Sequence, residues 1–306
     1  MYKDDRYVIP NNTSRRIFYR KYNDWIDFLR PARIVCDEAS GSTYRGMGCA
    51  SIKSEGERGE WSGASSLSEA LHLAVTGWPE GREKVTTIRK RMSLDKLFDE
   101  AFKIRREMDY SGDEPDIPLY LMGVPEHMAT ITSKFDYSNG KVVSIVVNRT
   151  QHCGCSPEDI VGRGTGIYIL LEALIRYGFS PELMIDFSCK SSGWGSSDSE
   201  NSHAEYHVPI LNAGDPVNLD TLAFMLINPA VERRIWFGVT EYEEPEYRNR
   251  FGFHSGCGYG QSEEPMVMPK NGILVTAHEG LCHDDASIEA FAISLLKRVG
   301  ITPHEE

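Results

Sequence analysis

The chain has 306 residues, of which 41% are hydrophobic and 25% charged, and a formal net charge of −12. That balance excludes a disordered chain and a fibrous repeat, and the length suits about two domains of the usual ~100–200 residues. No run approaches the ~18 apolar residues a membrane helix needs, and the opening Met1-Tyr-Lys-Asp-Asp-Arg-Tyr lacks a signal-peptide core, so the expected setting is the cytoplasm, with no membrane partner.

Charge is spread unevenly. Residues 1–106 carry 20 Lys/Arg against 15 Asp/Glu, a net of +5, whereas residues 107–306 carry 13 against 30, a net of −17. A basic front can hold phosphates at short range while an acidic body repels polyanions. Within the front, residues 1–35 mix cations with rings. Arg15, Arg16, Tyr19, Arg20, Lys21 and Trp25 are the candidate nucleic-acid-binding residues. Cations follow a phosphate backbone while rings stack on unpaired bases for ~1–3 kcal/mol each, a combination that suits single-stranded DNA. The same rings admit a plainer reading, because Phe18, Tyr22, Trp25 and Phe28 are spaced by four and three, as on the buried stripe of a helix.

Residues 38–66 hold six glycines and many serines, which predicts a long loop or loose hairpin. Ser66-Leu-Ser-Glu69 is a capping box, so a helix is expected over Leu67 to Thr76, stopped by Gly77-Trp78-Pro79. Ser93 caps a second expected helix with Leu94, Leu97, Phe98, Ala101 and Phe102 on one face. Asp113-Glu-Pro-Asp-Ile-Pro118 is polar and twice broken by proline, and it marks a seam between a basic, aromatic, mostly helical region at 1–115 and an acidic domain at 116–306.

Beyond the seam, short apolar runs alternate with amphipathic helices. Strands are predicted at 142–147, 184–187, 206–210, 235–239 and 273–276, and helices at about 160–177, 219–226 and 288–299. Buried strands alternating with helices indicate an α/β fold with a mainly parallel sheet and right-handed crossovers, here preceded by a helical N-terminal region.

Four stretches are then familiar together: Trp61-Ser-Gly-Ala-Ser-Ser-Leu-Ser-Glu-Ala70, Gly77-Trp-Pro-Glu-Gly81, the strand at 142–147 with the Arg163-Gly164 helix after it, and Leu222-Ala-Phe-Met-Leu-Ile-Asn-Pro-Ala230 with Arg233-Arg234. They resemble a poorly characterised family found largely in tailed bacteriophages, whose C-terminal part is similar to von Willebrand factor A domains. The resemblance covers most of residues 60–240 and implies a Rossmannoid, von Willebrand A-like sheet, a phage setting, and protein binding through loops at the carboxyl ends of the strands. It also implies where a metal-ion adhesion site would stand, as Asp-x-Ser-x-Ser after the first strand. The aligned place here reads Asn148-Arg-Thr-Gln-His152. A hard Mg²⁺ seeks carboxylate and hydroxyl oxygens, and with only Asn148 and Thr150 left that site is expected to be degenerate and not to bind.

Other constellations offer chemistry of their own. Gly162-Arg-Gly-Thr-Gly166 lies at a helix start but lacks the glycine spacing of a nucleotide fingerprint, so a plain tight turn is the simpler expectation. Seven cysteines scattered along the chain read as reduced thiols rather than a disulfide scaffold. Some sit beside histidines: His152, Cys153 and Cys155, then His254 and Cys257, then His278, Cys282 and His283 are candidate zinc ligands, since loops at one end of a sheet can converge on one ion. His203, Glu205 and His207 alternate on a strand and therefore share a face, either as metal ligands or as the polar side of a solvent-facing edge strand. Cys257 or Cys282 with His278 or His283 would supply a nucleophile and base if the fold brought them together.

Taken together, the sequence leads to a non-enzymatic, phage-type adaptor in phage transcription or replication. Its α/β domain binds a protein partner and its basic front holds single-stranded DNA. The alternatives are a zinc-dependent hydrolase built on His203, His207, His278 or His283, and a virion structural protein.

Overall fold

A computed structural model describes residues 16–40, 51, 59–91, 104–112, 114–133, 141–176, 178–191, 202–253, 258–266, 268 and 272–300. In chain order it has β1 (Arg16–Lys21), α1 (Trp25–Ser40), α2 (Gly59–Ser62), α3 (Leu67–Thr76) and α4 (Pro79–Arg91). A small antiparallel sheet follows, made of β2 (Ile104–Asp109), β3 (Glu114–Pro115) and β4 (Met128–Ser133), with α5 (Ile117–Leu121) between its last two strands. Then come β5 (Val142–Asn148), α6 (Pro157–Arg176), β6 (Ser180–Lys190), β7 (Ser202–Leu211) and α7 (Leu219–Ile227). A π-helical turn (Val231–Trp236), α8 (Phe237–Glu241), α9 (Pro245–Phe251), β8 (Gln261–Ser262), β9 (Gly272–Val275) and α10 (Asp285–Arg298) complete the order.

The main sheet runs β1-β7-β6-β5-β9, with β8 beside β6. β5 is parallel to both β6 and β9, and β1 is parallel to β7, while β7 and β8 are antiparallel to β6. The expected α/β class with a mainly parallel sheet is therefore what forms. From β5 the chain crosses through α6 to β6 on one side and returns later to β9 on the other, which makes the carboxyl end of β5 a point where the strand order reverses.

One predicted strand is a helix instead. Residues 235–239 fall in the π-helical turn and α8, because Val231, Ile235 and Val239 are four apart and all face the core. The Asn228 side chain accepts from Ala230 N at 2.8 Å and fixes the entry into that turn. A short apolar run is compatible with either period, and here the flanking Asn-Pro and the two arginines decide it.

The front of the chain is also rearranged relative to the helical stripe. Phe18 lies in β1 and Tyr22 just after it, and the helix begins only at Trp25, yet Phe18, Tyr22, Trp25 and Phe28 are all buried. β1 adds to β7, so the division at residue 115 does not divide the packing. Phe28 stacks on Phe187 at 5.3 Å, Phe187 stacks on Trp236 at 4.7 Å, and residues from both parts form one core. Four arginines of the front reach carboxylates of the acidic part: Arg20 to Glu243 (2.7 Å), Arg82 to Asp220 (3.4 Å), Arg89 to Glu172 (2.7 Å) and Arg91 to Asp285 (3.1 Å).

Gly162, Gly164 and Gly166 are not a turn but lie inside α6. A Cβ on Gly164 would come within 2.1 Å of Leu226 O, and one on Gly162 within 1.8 Å of Cys282 O. These glycines let α6 approach α7 and the loop after β9 backbone to backbone. Ser66 caps α3 as expected, its hydroxyl accepting from Glu69 N at 3.1 Å, while the Glu69 carboxylate accepts from Ser65 N (2.7 Å) rather than closing the box on Ser66 N. The helix expected after Ser93 falls outside the described residues.

Candidate functional site

The carboxyl end of β5 opens into a cavity of about 270 Å³. Its walls come from α2 (Trp61), the loop after β5 (Thr150 to Cys153), the π-helical turn (Glu232, Arg233, Trp236), α8 (Phe237) and residues 258–262. Trp61 lies against Arg233, whose guanidinium carbon is 4.1 Å from the ring centroid. Phe237 and Tyr259 stack at 3.8 Å, and the Tyr259 hydroxyl donates to buried Glu241.

Buried arginines hold this region together by donating to backbone carbonyls. Arg149 bonds Leu226 O and Asn228 O, both at 3.0 Å, and so caps the end of α7. Arg163 donates to Glu279 O (2.9 Å), Asn148 O (2.9 Å), Val275 O (3.3 Å) and Thr276 O (2.8 Å), tying the ends of β5 and β9 to the loop beyond. Arg233 donates to Trp61 O and Cys155 O, each at 2.6 Å. Arg234 reaches Ser51 O (2.8 Å), Ser65 O (3.1 Å) and Ala64 O (3.3 Å).

Three of these cations surround one carboxyl, Glu232. Burial pushes its pKa up to about 8 against the opposing pull of Arg233 and Arg149. Burial also lowers Arg163 to about 9, helped by the charge of Arg149, and lowers Arg149 to about 10. With its amide turned to satisfy both ends, Gln151 donates to Glu232 Oε2 (3.0 Å) and accepts from Arg163 (3.2 Å). Two polar groups of lining residues have no partner among the described residues: the Thr150 hydroxyl and the Trp236 indole N–H, both buried. Both atoms are out of reach of solvent.

A second cluster lies beneath β8. Asp186 and Ser188 on β6 face His207 and Glu205 on β7, in register. His203 Nε2 contacts Glu205 at 2.8 Å and its Nδ1 contacts Glu263 at 2.7 Å; His207 Nε2 lies 3.1 Å from Asp186 and 3.3 Å from Glu205. Tyr19 from β1 meets His207 Nδ1 at 3.2 Å, and Met266 N donates to Glu205. Burial alone would lower His207, but its contacts with Asp186 and Glu205 raise it to about 9. Burial likewise opposes the shift of Glu205, which the two histidines bring down to about 2. β7 is thus no edge strand, since β1 and β6 flank it, and its alternating polar side chains form a closed ladder of imidazoles and carboxylates rather than a wet face.

The sequence-predicted residues separate accordingly. Trp25 is buried with its indole N–H donating to Ala74 O at 2.9 Å, so its ring is core rather than a stacking platform. Tyr19 contacts His207, Arg20 pairs with Glu243, and Lys21 is exposed; Arg16 lies in β1, and Arg15 is outside the described residues. Of the soft-ligand set, His254 and Cys257 are outside the described residues. His152, Cys153 and Cys155 follow β5, with His152 and Cys153 at the cavity rim. His278, Cys282 and His283 follow β9; His283 pairs with Asp159 at 3.0 Å, and Cys282 is buried with its pKa raised to about 11, mainly by burial. A thiol held that high is a poor nucleophile at neutral pH. Among the described residues, no group of three or more His, Cys, Asp or Glu is arranged to hold a metal ion.

The residues at the place of an adhesion-type Mg²⁺ do not fit that ion. The Asn148 side chain donates to Glu263 O (2.7 Å) and accepts from Thr150 N (2.9 Å), and the Arg163 guanidinium sits on Asn148 O. A divalent cation there would face a guanidinium instead of a carboxylate. Sequence reasoning missed Glu232, Arg149, Arg233 and Trp236 as parts of a site. Their common signal was three arginines beside apolar runs, Arg149 after Val142–Asn148 and Arg233-Arg234 before Ile235.

A family model described as a domain of unknown function (DUF7192) matches residues 6–302. No curated protein and no solved structure matches the chain.

Proposed function

We propose for this chain, which belongs to the DUF7192 family, a non-enzymatic binding role in which a protein partner is taken at the carboxyl end of β5. The observation that carries the reading is the cavity there, with aromatic walls from Trp61, Phe237 and Tyr259 and polar lining from Gln151 and Arg233. Convergent polar groups in a largely apolar concavity, at a point of strand reversal, are what a recognition site requires. β5, flanked on both sides by parallel neighbours, supports the finer von Willebrand A-like reading of the sheet. An adaptor in a tailed phage is the setting that the sequence resemblance suggests. The single-stranded DNA limb has less support, because Trp25 is in the core and Arg20 is paired.

The test is selection from a random-peptide library on the immobilised full chain and on Trp61→Ala, which opens one cavity wall. Enrichment of a related peptide set by the wild type, lost in Trp61→Ala with unchanged thermal unfolding, is expected. No enrichment by the wild type, or equal enrichment by both proteins, would overturn the reading.

A further inference from the structure

We infer that the outward face of α5 is a docking surface for a basic, amphipathic segment of another protein. This surface is separate from the cavity, whose lining includes no residue of 104–133. A helix of a globular fold normally turns its apolar side chains inward. Ile117, Tyr120 and Leu121 stand three and four positions apart and so share one face of α5. They are nevertheless exposed, as are Met122 after the helix and Tyr110 after β2, each by 55–77%. Six of the eleven large hydrophobic side chains exposed among the described residues fall within residues 108–122. Single exposed apolar residues are ordinary, but a contiguous group of them marks an interaction surface.

Short contacts gather these side chains around one loop. The Tyr110 hydroxyl donates to Glu126, in the loop between α5 and β4, and the Tyr120 ring lies 5.1 Å from that of His127, the next residue. Asp116 N donates to His127 O at 2.7 Å, which holds the start of α5 against the same loop. The patch is therefore framed by backbone and not scattered along the chain. Its border is acidic. Asp116 caps α5 by accepting from Leu119 N at 3.1 Å, Asp109 accepts from Tyr110 N at 2.7 Å, and Glu126 holds the Tyr110 hydroxyl.

From Glu107 to Ser133 the sequence has six Asp or Glu and no Lys or Arg. The cations just before it, Arg105 and Arg106, pair in register with Thr132 and Ile131, towards the end of the ladder away from α5. That border selects the occupant. A second copy meeting the face across a two-fold axis would set acid against acid, and an anionic lipid surface or a nucleic acid is repelled in the same way. An apolar centre with an acidic rim is complemented by large apolar side chains bordered by Lys or Arg.

The experiment titrates the full chain into a fluorescent helical peptide of Leu and Lys with its Lys on one face, followed by anisotropy. The controls are the same residues in scrambled order and the counterpart made of Leu and Glu. Saturable binding of the first peptide is expected, with both controls at least tenfold weaker. The double variant Leu121→Ser with Met122→Ser should bind at least tenfold more weakly while unfolding as wild type does, because the side chains it removes are exposed. Asp109→Asn with Glu126→Gln, which keeps both acceptors, should weaken binding about threefold at low salt and reduce its salt dependence. Trp61→Ala should bind as wild type does. Equal binding by the Leu121→Ser, Met122→Ser variant would reduce the effect to general attraction by an acidic body and overturn the inference. A loss of stability in that variant would mean that the face is packed within its own chain. Dimerisation of wild type that the variant abolishes would make a second copy the occupant, and binding to phosphatidylglycerol vesicles would make it a lipid surface; each of these also overturns the inference, as does no binding of the Leu and Lys peptide. Loss of binding in Trp61→Ala would move the peptide to the cavity and overturn it too. The cavity reading stands or falls separately, on the library selection.

Discussion

Two sets of arginines divide this molecule. Those of the front, Arg20, Arg82, Arg89 and Arg91, reach across to carboxylates of the acidic part at 2.7–3.4 Å. Those of the acidic part, Arg149, Arg163, Arg233 and Arg234, are buried and donate to backbone carbonyls. The contrast explains the uneven charge of the chain: the positive front lies on the negative body, and complementarity within one fold accounts for part of a pattern that also suits binding a polyanion. It also separates two energetic roles. An exposed ion pair contributes ~0–1 kcal/mol, whereas a buried guanidinium that satisfies several carbonyls leaves all of them unpaired when removed.

The strongest way to break this comparison is Arg163→Met. The variant keeps the aliphatic stem but leaves the carbonyls of Asn148, Val275, Thr276 and Glu279 without that donor at the ends of central β5 and its neighbour β9. Urea unfolding should show a loss of about 3–5 kcal/mol. A loss under 1 kcal/mol would place Arg163 with the surface arginines and end the distinction.

Gly164→Ala sharpens the same point through the carbonyl that Arg149 holds. In an exposed helix the change gains ~1 kcal/mol by propensity. Here the new Cβ would meet Leu226 O at 2.1 Å, the acceptor of Arg149. Overpacking of this kind costs about 1–3 kcal/mol, so the variant should unfold at lower urea than wild type. A gain in stability would show that α6 and α7 can separate cheaply.

These two positions show what the sequence made legible and what it did not. The cap at Ser66, the apolar run at 142–147 and the helix near 160–177 are local patterns, and local patterns set them. Gly162 to Gly166 carried the composition of a turn, and only the approach of α7 and the loop after β9 shows why a helix needs those glycines. Trp25 fitted both a buried stripe and a stacking surface; β1 pairing with β7 put its neighbour Phe28 onto Phe187 and settled it inside. The cavity was the least legible part. Its lining comes from residues 61, 150–153, 232–237 and 258–262, whose meeting is a property of topology and leaves no spacing in the chain.

The buried imidazole and carboxylate ladder stands between the two arginine sets, because its charges are buried yet paired with each other. Folded His207 titrates near 9, above its ordinary 6.5, so the stability it adds is complete below about 6.5 and is lost as pH rises through 9. Glu205 titrates near 2, below its ordinary 4.5, so its stability is complete above 4.5 and is lost as pH falls through 2. Raised Glu232 adds to the alkaline loss between 4.5 and 8. Stability from urea midpoints should therefore peak near pH 4.5, fall towards the acid side, and decline on the alkaline side with a slope that steepens above about 6.5 where His207 joins Glu232. His207→Gln should flatten the alkaline decline while Arg82→Ala leaves it unchanged, and an alkaline decline identical in His207→Gln would remove the ladder from this account.

The smallest effects belong to the front arginines, and they vary in a way the geometry orders. Arg82 with Asp220 and Arg91 with Asp285 are well exposed, with side-chain exposures of 48% and 32% for the first pair and 59% and 42% for the second. Double-mutant cycles on them should give about 0.2–0.5 kcal/mol, shrinking further as salt shortens the reach of each charge. Arg20 differs because its partner Glu243 is only 3% exposed and also accepts from the Tyr206 hydroxyl at 3.1 Å. Removing Arg20 takes a cation from a nearly buried carboxylate, so Arg20→Ala should cost about 1–2 kcal/mol and depend little on salt. Arg20 thus sits in the front by sequence and with the buried set by energetics. If its cycle energy matched that of Arg82 and fell equally with salt, burial of the partner would not be what separates the two sets, and the division would follow chain position alone.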